Sequence, residues 1–100
     1  MAANGVRGEV VVTLAGAARR LCLTLGALAE IETALGVRGI GELAERLRRL
    51  SASDIVVVLA ALLRGGGEAA FAERLESEAV ALGAAAGAVA AAFAAASDND

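Results

Sequence analysis

The first third of the chain changes its hydrophobic period, and this change most constrains the fold. Apolar and polar residues alternate in Glu9–Leu14 and again in Arg20–Leu25, which is the period of a β-strand. The intervening segment Ala15–Ala18 contains Gly16, a residue that readily supplies the positive φ of a hairpin turn. The sequence therefore predicts a β-hairpin over residues 8–25.

Beyond the hairpin the apolar spacing becomes helical. Leu28, Ile31 and Leu35 form one stripe, and Gly36 is a natural C-terminal cap. Further helices are expected over residues 40–50, 54–64, 68–83 and 84–96. Two strands are marginally stable alone, so the hairpin must pack on these helices. The expected fold is α+β and mostly helical, with an N-terminal β-hairpin packed on a bundle of four to five short helices.

Domain organisation follows from the same pattern. Residues 8–96 are expected to form a single domain, preceded by a flexible N-terminus over 1–7 and followed by a polar tail over 97–100. In the fourth predicted helix, Phe71, Leu75, Ala79 and Leu82 fall on one stripe. The last helix is nearly all alanine, and its bulky side chains are Val89 and Phe93.

The composition argues against an enzyme. Without histidine, the single Cys22 lacks the usual base of a catalytic thiol and of a zinc site, so we expect a small strand residue there. Glu30 and Glu32 lie two apart on a helix and point in different directions, so they form no acid–base pair. The glycines at 65–67 lack the following lysine and the preceding strand of a phosphate loop. No catalytic, metal-binding or cofactor-binding residue is assigned.

Charge and hydropathy bear on the kind of partner. A net charge of -3 without a basic patch argues against nucleic-acid binding. Residues 79–96 carry no charge, which is about the lower limit of length for a membrane span. Alanine favours the bilayer little, however, and aromatic belts are absent, so no membrane contact is expected. No signal peptide is visible at the N-terminus, which favours a cytoplasmic protein.

Three segments carry a resemblance to a known family. They read TLGALAEIETALG, GELAERL and SASDIVVVLAALLRGGG, and the most specific parts are Leu25–Glu32 and Leu62–Gly67. In this order, over roughly Gly5 to Val89, they resemble small phage and gene-transfer-agent tail proteins that are grouped with tail assembly chaperones and encoded beside the tail tube gene. Some members of that family are labelled tail tube proteins.

The resemblance implies a non-enzymatic role in building a phage-type tail. Tail assembly chaperones are thought to coat the long apolar helices of the tape-measure protein until tube subunits polymerise around it, so the implied partners are the tape-measure protein, the tail tube protein or both. The protein would be made in the bacterial cytoplasm, including from a prophage, and can become associated with the virion. Self-association is a further expectation, because the hairpin leaves an open edge.

Helix-in-groove recognition would use apolar side chains of the last two predicted helices. The candidate partner-binding residues are Phe71, Leu75, Leu82, Val89 and Phe93. The same side chains can instead complete the core of the domain itself. Two other functions stay open: an unrelated small helical adaptor or regulatory module whose hairpin pairs with a partner's strand, and a membrane-associated protein anchored by the alanine-rich C-terminal helix.

Overall fold

A computed structural model describes residues 8–97, apart from the side chain of Ile40. The elements are β1 (Glu9–Leu14), β2 (Ala17–Cys22), α1 (Leu25–Leu35), α2 (Gly39–Leu47), α3 (Ala52–Gly65), α4 (Ala69–Glu73), a 3-10 turn (Leu75–Ser77) and α5 (Leu82–Ser97). The predicted class, α+β and mostly helical with an N-terminal hairpin, is confirmed. The predictions for residues 1–7 and 98–100 lie outside the described residues, whereas Ser97, predicted in the tail, is the last residue of α5.

The hairpin turn is tighter than the sequence predicted. Ala15 and Gly16 alone form the loop, with φ of 53° and 81°, and Leu14 pairs with Ala17. Positive φ at both loop residues is the geometry of a type I′ turn, whose twist matches that of the strands it joins. The second strand therefore begins at Ala17 instead of Arg20 and ends at Cys22. The register sets Arg19 opposite Val12, on the face that packs against the helices.

Local capping signals fix the starts of α1 and α3. The Thr24 side chain accepts a 3.0 Å hydrogen bond from the Ala27 N–H, and α1 ends at Gly36 with a φ of 70°. Ser51 and Asp54 form a reciprocal capping box at the start of α3, which satisfies two backbone N–H groups. The stripe Leu28, Ile31 and Leu35 packs inward as predicted.

The core is organised around α3. This helix packs against α1, α4, α5 and β2, while α5 also packs against the hairpin, mainly against β1. The α3 side chains that are least exposed to solvent are Val58, Leu59, Ala61, Leu62 and Leu63. Because a helix that is apolar nearly all round needs neighbours on every side, its central position follows from its sequence.

The predicted fourth helix over residues 68–83 is wrong. It stops at Glu73, a 3-10 turn follows, and Leu82 begins the next helix. Polar side chains compete with the helical hydrogen bonds there: the Arg74 guanidinium donates to the Ala70 carbonyl at 3.2 Å, and the Ser77 hydroxyl donates to the Arg74 carbonyl at 2.8 Å. Leu82 therefore does not share a stripe with Phe71 and Leu75.

The end of α3 is pressed against β2. A Cβ added at Gly65 would lie 2.2 Å from the Cys22 carbonyl oxygen, and one added at Gly66 would lie 2.2 Å from that of Arg20. Gly67 has a φ of 86°, and the Glu68 N–H donates 2.8 Å to the Leu63 carbonyl, which completes a Schellman cap. The glycine run therefore allows α3 to contact the backbone of β2 directly.

Candidate partner-binding surface

Phe71 and Leu75 lie inside the domain. Phe71 is 1% exposed, and the Arg19 guanidinium stacks 4.1 Å from its ring centroid, with that of Arg74 at 5.4 Å. The Arg19 Nη1 also donates 3.2 Å to the Glu68 carboxylate, so β2 and the two residues that flank α4 meet around the ring. Phe71 is closed off from a partner, whereas Leu75, which is 6% exposed in the 3-10 turn, lines the wall of a surface cleft. Their role in partner binding stays a prediction.

The three remaining candidates occupy different surroundings on α5. Val89 is buried against the core, whereas Leu82 is 63% exposed at the start of the helix. Phe93 is half-buried, packed against the core on one side and open on the other. The structure therefore does not bring the five candidates into one surface: Leu75 and Leu82 line one cleft, and Val89 and Phe93 line another.

Phe93 lies where two clefts meet, and together they form what we call the α2–α5 groove. One cleft, of about 410 Å³, lies between α1, α2 and the end of α5, and the other, of about 340 Å³, lies between α2, the start of α3 and the middle of α5. Leu47 and Phe93 line both clefts. The other lining residues are Leu23, Leu28, Leu43, Ala44, Arg48, Leu50, Ile55, Ala86, Val89, Ala90, Ala96 and Ser97.

One wall of this groove, α2, is held to the rest of the domain by few contacts. Its backbone makes only sparse contacts with the other elements, and Leu43 is its buried anchor. The Arg46 guanidinium binds both carboxylate oxygens of Asp54 at 3.0 Å and the Leu35 carbonyl at 2.9 Å. Hydrogen bonding from the Ser51 N–H, followed by the Arg46 guanidinium, lowers the pKa of Asp54. The Arg46–Asp54 pair therefore ties α2 to the start of α3.

The groove was only partly predictable. The apolar spacing of the predicted helix 40–50 indicates that Leu47 and Leu50 are buried, yet both are only half-buried, and Leu50 lies beyond the end of α2. A signal was present in the sequence, since α5 offers mostly alanine opposite α2. The short alanine side chains of α5 do not fill the space beside the leucines of α2, so an apolar cleft remains.

The remaining reactive residues have structural partners. The Glu30 carboxylate binds the Arg64 guanidinium, and that of Glu32 accepts a 3.1 Å hydrogen bond from the Gly39 N–H, so the two acids face different neighbours. Cys22 is buried at the end of β2, where burial and then the Glu9 carboxylate raise the pKa of its thiol. Over residues 8–97 no cluster of acidic or sulfur side chains has the arrangement of a metal site.

The helices also bear on the membrane alternative. The longest, α5, has 16 residues. Within the part of the chain that the structure describes, none of the helices combines the length and the apolarity that a bilayer crossing requires.

Comparison with known proteins places the chain in a family. No curated protein and no solved structure shows significant similarity to it. A family model, described as phage tail tube protein, GTA-gp10, matches residues 7–97 and so spans the hairpin and every helix of the fold. Because the match covers nearly the whole chain, the protein belongs to this phage tail family.

Proposed function

We propose that this protein is a non-enzymatic tail assembly chaperone that binds an apolar helix of the tape-measure protein in the α2–α5 groove. The membership in a phage tail family supports a role in tail assembly, and the groove supports the kind of contact. The proposed role involves no catalytic residue and no cofactor. It acts in the bacterial cytoplasm before the tail is complete.

The observation that carries the proposal is the apolar groove around Leu47 and Phe93. Leucine and phenylalanine side chains line both clefts, and the alanines at its rim leave room for the side chains of a second helix. A shallow apolar groove suits reversible binding, because each buried CH₂ contributes only about 0.8 kcal/mol. An amphipathic helix would enter with residues spaced three and four apart.

The test is co-expression with the tape-measure protein of the same phage-type tail. The wild-type chain should keep the tape-measure protein soluble and copurify with it. Ala90→Glu and Ala44→Glu place a carboxylate in the groove at exposed positions, and both should abolish copurification while leaving the circular dichroism melt unchanged. Ala94→Glu is the matched control, since Ala94 is exposed on the same helix but does not line the groove.

Two results would contradict the proposal. If the wild-type chain left the tape-measure protein insoluble, the chaperone role would be refuted. If Ala90→Glu copurified as well as Ala94→Glu, binding would occur elsewhere on the surface. A parallel co-expression with the tail tube protein tests the second implied partner. The same variants then show whether that partner also binds in the α2–α5 groove.

A structural role within the tail is the second candidate, favoured by the description of the family as a tail tube protein. A structural subunit remains in the finished tail, whereas a chaperone leaves as the tube assembles. Quantitative mass spectrometry of purified particles separates the two: stoichiometric amounts of this chain would favour the structural role, and its absence from particles that required it for assembly would favour the chaperone.

A further inference from the structure

The two edges of the hairpin differ in their protection. In an antiparallel ladder, hydrogen-bonded pairs alternate with pairs whose N–H and C=O groups point outward. The two-residue turn makes Leu14 and Ala17 a hydrogen-bonded pair, so the outward groups on β2 belong to Ala18, Arg20 and Cys22. The Arg20 N–H indeed donates 3.1 Å to the Glu68 carboxylate, and Gly65 and Gly66 press on the adjacent carbonyls. The β2 edge is therefore covered.

The β1 edge is open. By the same alternation, Glu9, Val11 and Thr13 direct their N–H and C=O groups away from β2. Within residues 8–97 these backbone groups have no hydrogen-bond partner. The strand is six residues long, has no bulge in its register and contains no proline, so it lacks the devices that usually protect an edge.

Valines flank this edge on both faces of the sheet. Val11 is 59% exposed on the outer face, and Val10 and Val12 are only half-buried on the face toward the helices. A strand of another chain would cover this unpaired row of backbone groups together with the exposed Val11 and the half-buried Val10 and Val12.

We propose that two copies of this protein pair along β1, antiparallel about Val11, to form a four-stranded sheet. Pairing about Val11 sets Val11 against itself and Glu9 against Thr13 of the second copy, which keeps the two carboxylates apart. Each outward N–H and C=O of Glu9, Val11 and Thr13 then gains a partner. The strand sequence is in this sense complementary to itself, which is the requirement of a two-fold interface.

The covered β2 edge decides the size of the assembly. A sheet with two open edges can add copies without limit, whereas this hairpin has one, so pairing stops at a dimer. On the face below the sheet, α5 packs against β1 and consists mostly of alanine. Small side chains there let the α5 helices of two copies lie close to each other beneath the joined sheet.

The test is the oligomeric state of the intact protein, measured by sedimentation velocity over a concentration series. Wild type should show a concentration-dependent dimer. Val11→Lys and Val11→Glu should each weaken dimerisation by about tenfold or more, because like charges then face each other across the axis. An equimolar mixture of the two variants should restore the dimer. The pattern arises because Val11 lies on the two-fold axis and therefore faces its own copy.

Two further variants separate pairing from folding. Val11→Pro removes an outward N–H and should leave a folded monomer, since proline is tolerated on the open side of an edge strand. Ala18→Lys is the control: Ala18 is exposed on the same face but belongs to the covered strand, so the dimer should persist. Wild type that stays monomeric, a dimer insensitive to the Val11 variants, or a mixture that fails to recover it would each overturn the proposal.

Discussion

Gly66→Ala should destabilise the domain through a direct clash with the backbone of β2. The Cβ that it adds would lie 2.2 Å from the Arg20 carbonyl oxygen, 2.5 Å from the Arg20 carbonyl carbon and 2.9 Å from the Leu21 nitrogen. All three are backbone atoms, so no flexible side chain can turn aside. The Glu68 carboxylate also holds the Arg20 N–H at 3.1 Å, which opposes a retreat of β2.

The expected cost is about 3 kcal/mol, at the upper end of what over-packing usually costs. The backbone angles of Gly66, φ of -90° and ψ of 4°, are available to alanine, so the loss comes from the contact and not from a strained φ. Gly87→Ala is the matched control. Apart from the neighbouring residues and the backbone of its own helix, nothing lies within 4 Å of a Cβ at Gly87, in the interior of α5, so the same change should stabilise by about 0.5–1 kcal/mol.

The assay is urea unfolding followed by circular dichroism, since the chain contains no Trp or Tyr for fluorescence. For a domain of this size, 1 kcal/mol corresponds to about 4–8 °C in Tm, so thermal melts should separate the two variants clearly. The reasoning would be refuted if Gly66→Ala were as stable as wild type, or if Gly87→Ala were the more damaging of the two.

Two further predictions concern acid stability and the core. Hydrogen bonding from the Arg20 and Ser51 backbones lowers the pKa of Glu68 and Asp54 below their usual 4.5 and 3.8. The stability that these two ionised carboxylates contribute is therefore fully present above those usual values and is lost as the pH falls through their lower folded-state pKa values. Glu68→Gln should lower the free energy of unfolding at neutral pH. In urea melts, its stability should also fall less steeply toward acidic pH than that of wild type. Phe71→Ala should cost about 3–5 kcal/mol in the same melts, and a loss below 1 kcal/mol would contradict its burial.

Elements fixed by local signals were predictable. The stripe Leu28, Ile31 and Leu35 and the cap Gly36 all lie within a few turns of one helix, and the structure places them as expected. The sequence predicts either Ser51 or Ser53 as the N-cap of α3, and the structure has Ser51 there, because its side chain and that of Asp54 satisfy backbone N–H groups. In each case the residues that decide the structure are close together in the sequence.

Features that depend on contacts between residues far apart in the sequence were not predictable. The i,i+4 spacing of Glu42 and Arg46 predicts a surface pair, yet Arg46 instead binds Asp54 and the Leu35 carbonyl. The helix predicted through residue 83 ends early because the Arg74 side chain satisfies the Ala70 carbonyl and the Ser77 side chain that of Arg74. The same limit applies to the binding surface: Phe93 was a candidate, but its place beside Leu47 depends on how α2 is held against α3.

The hairpin depends on residues that follow it much later in the chain. Its β2 edge is held by Gly66 and Glu68, and a Cβ at Gly8, beside the start of β1, would lie 3.4 Å from the Ala96 backbone near the end of α5. A lone hairpin is marginal in water, and chains emerge from the ribosome N-terminus first. The hairpin is thus synthesised before the helices that pack against it, so the domain completes its folding only once α5 has emerged.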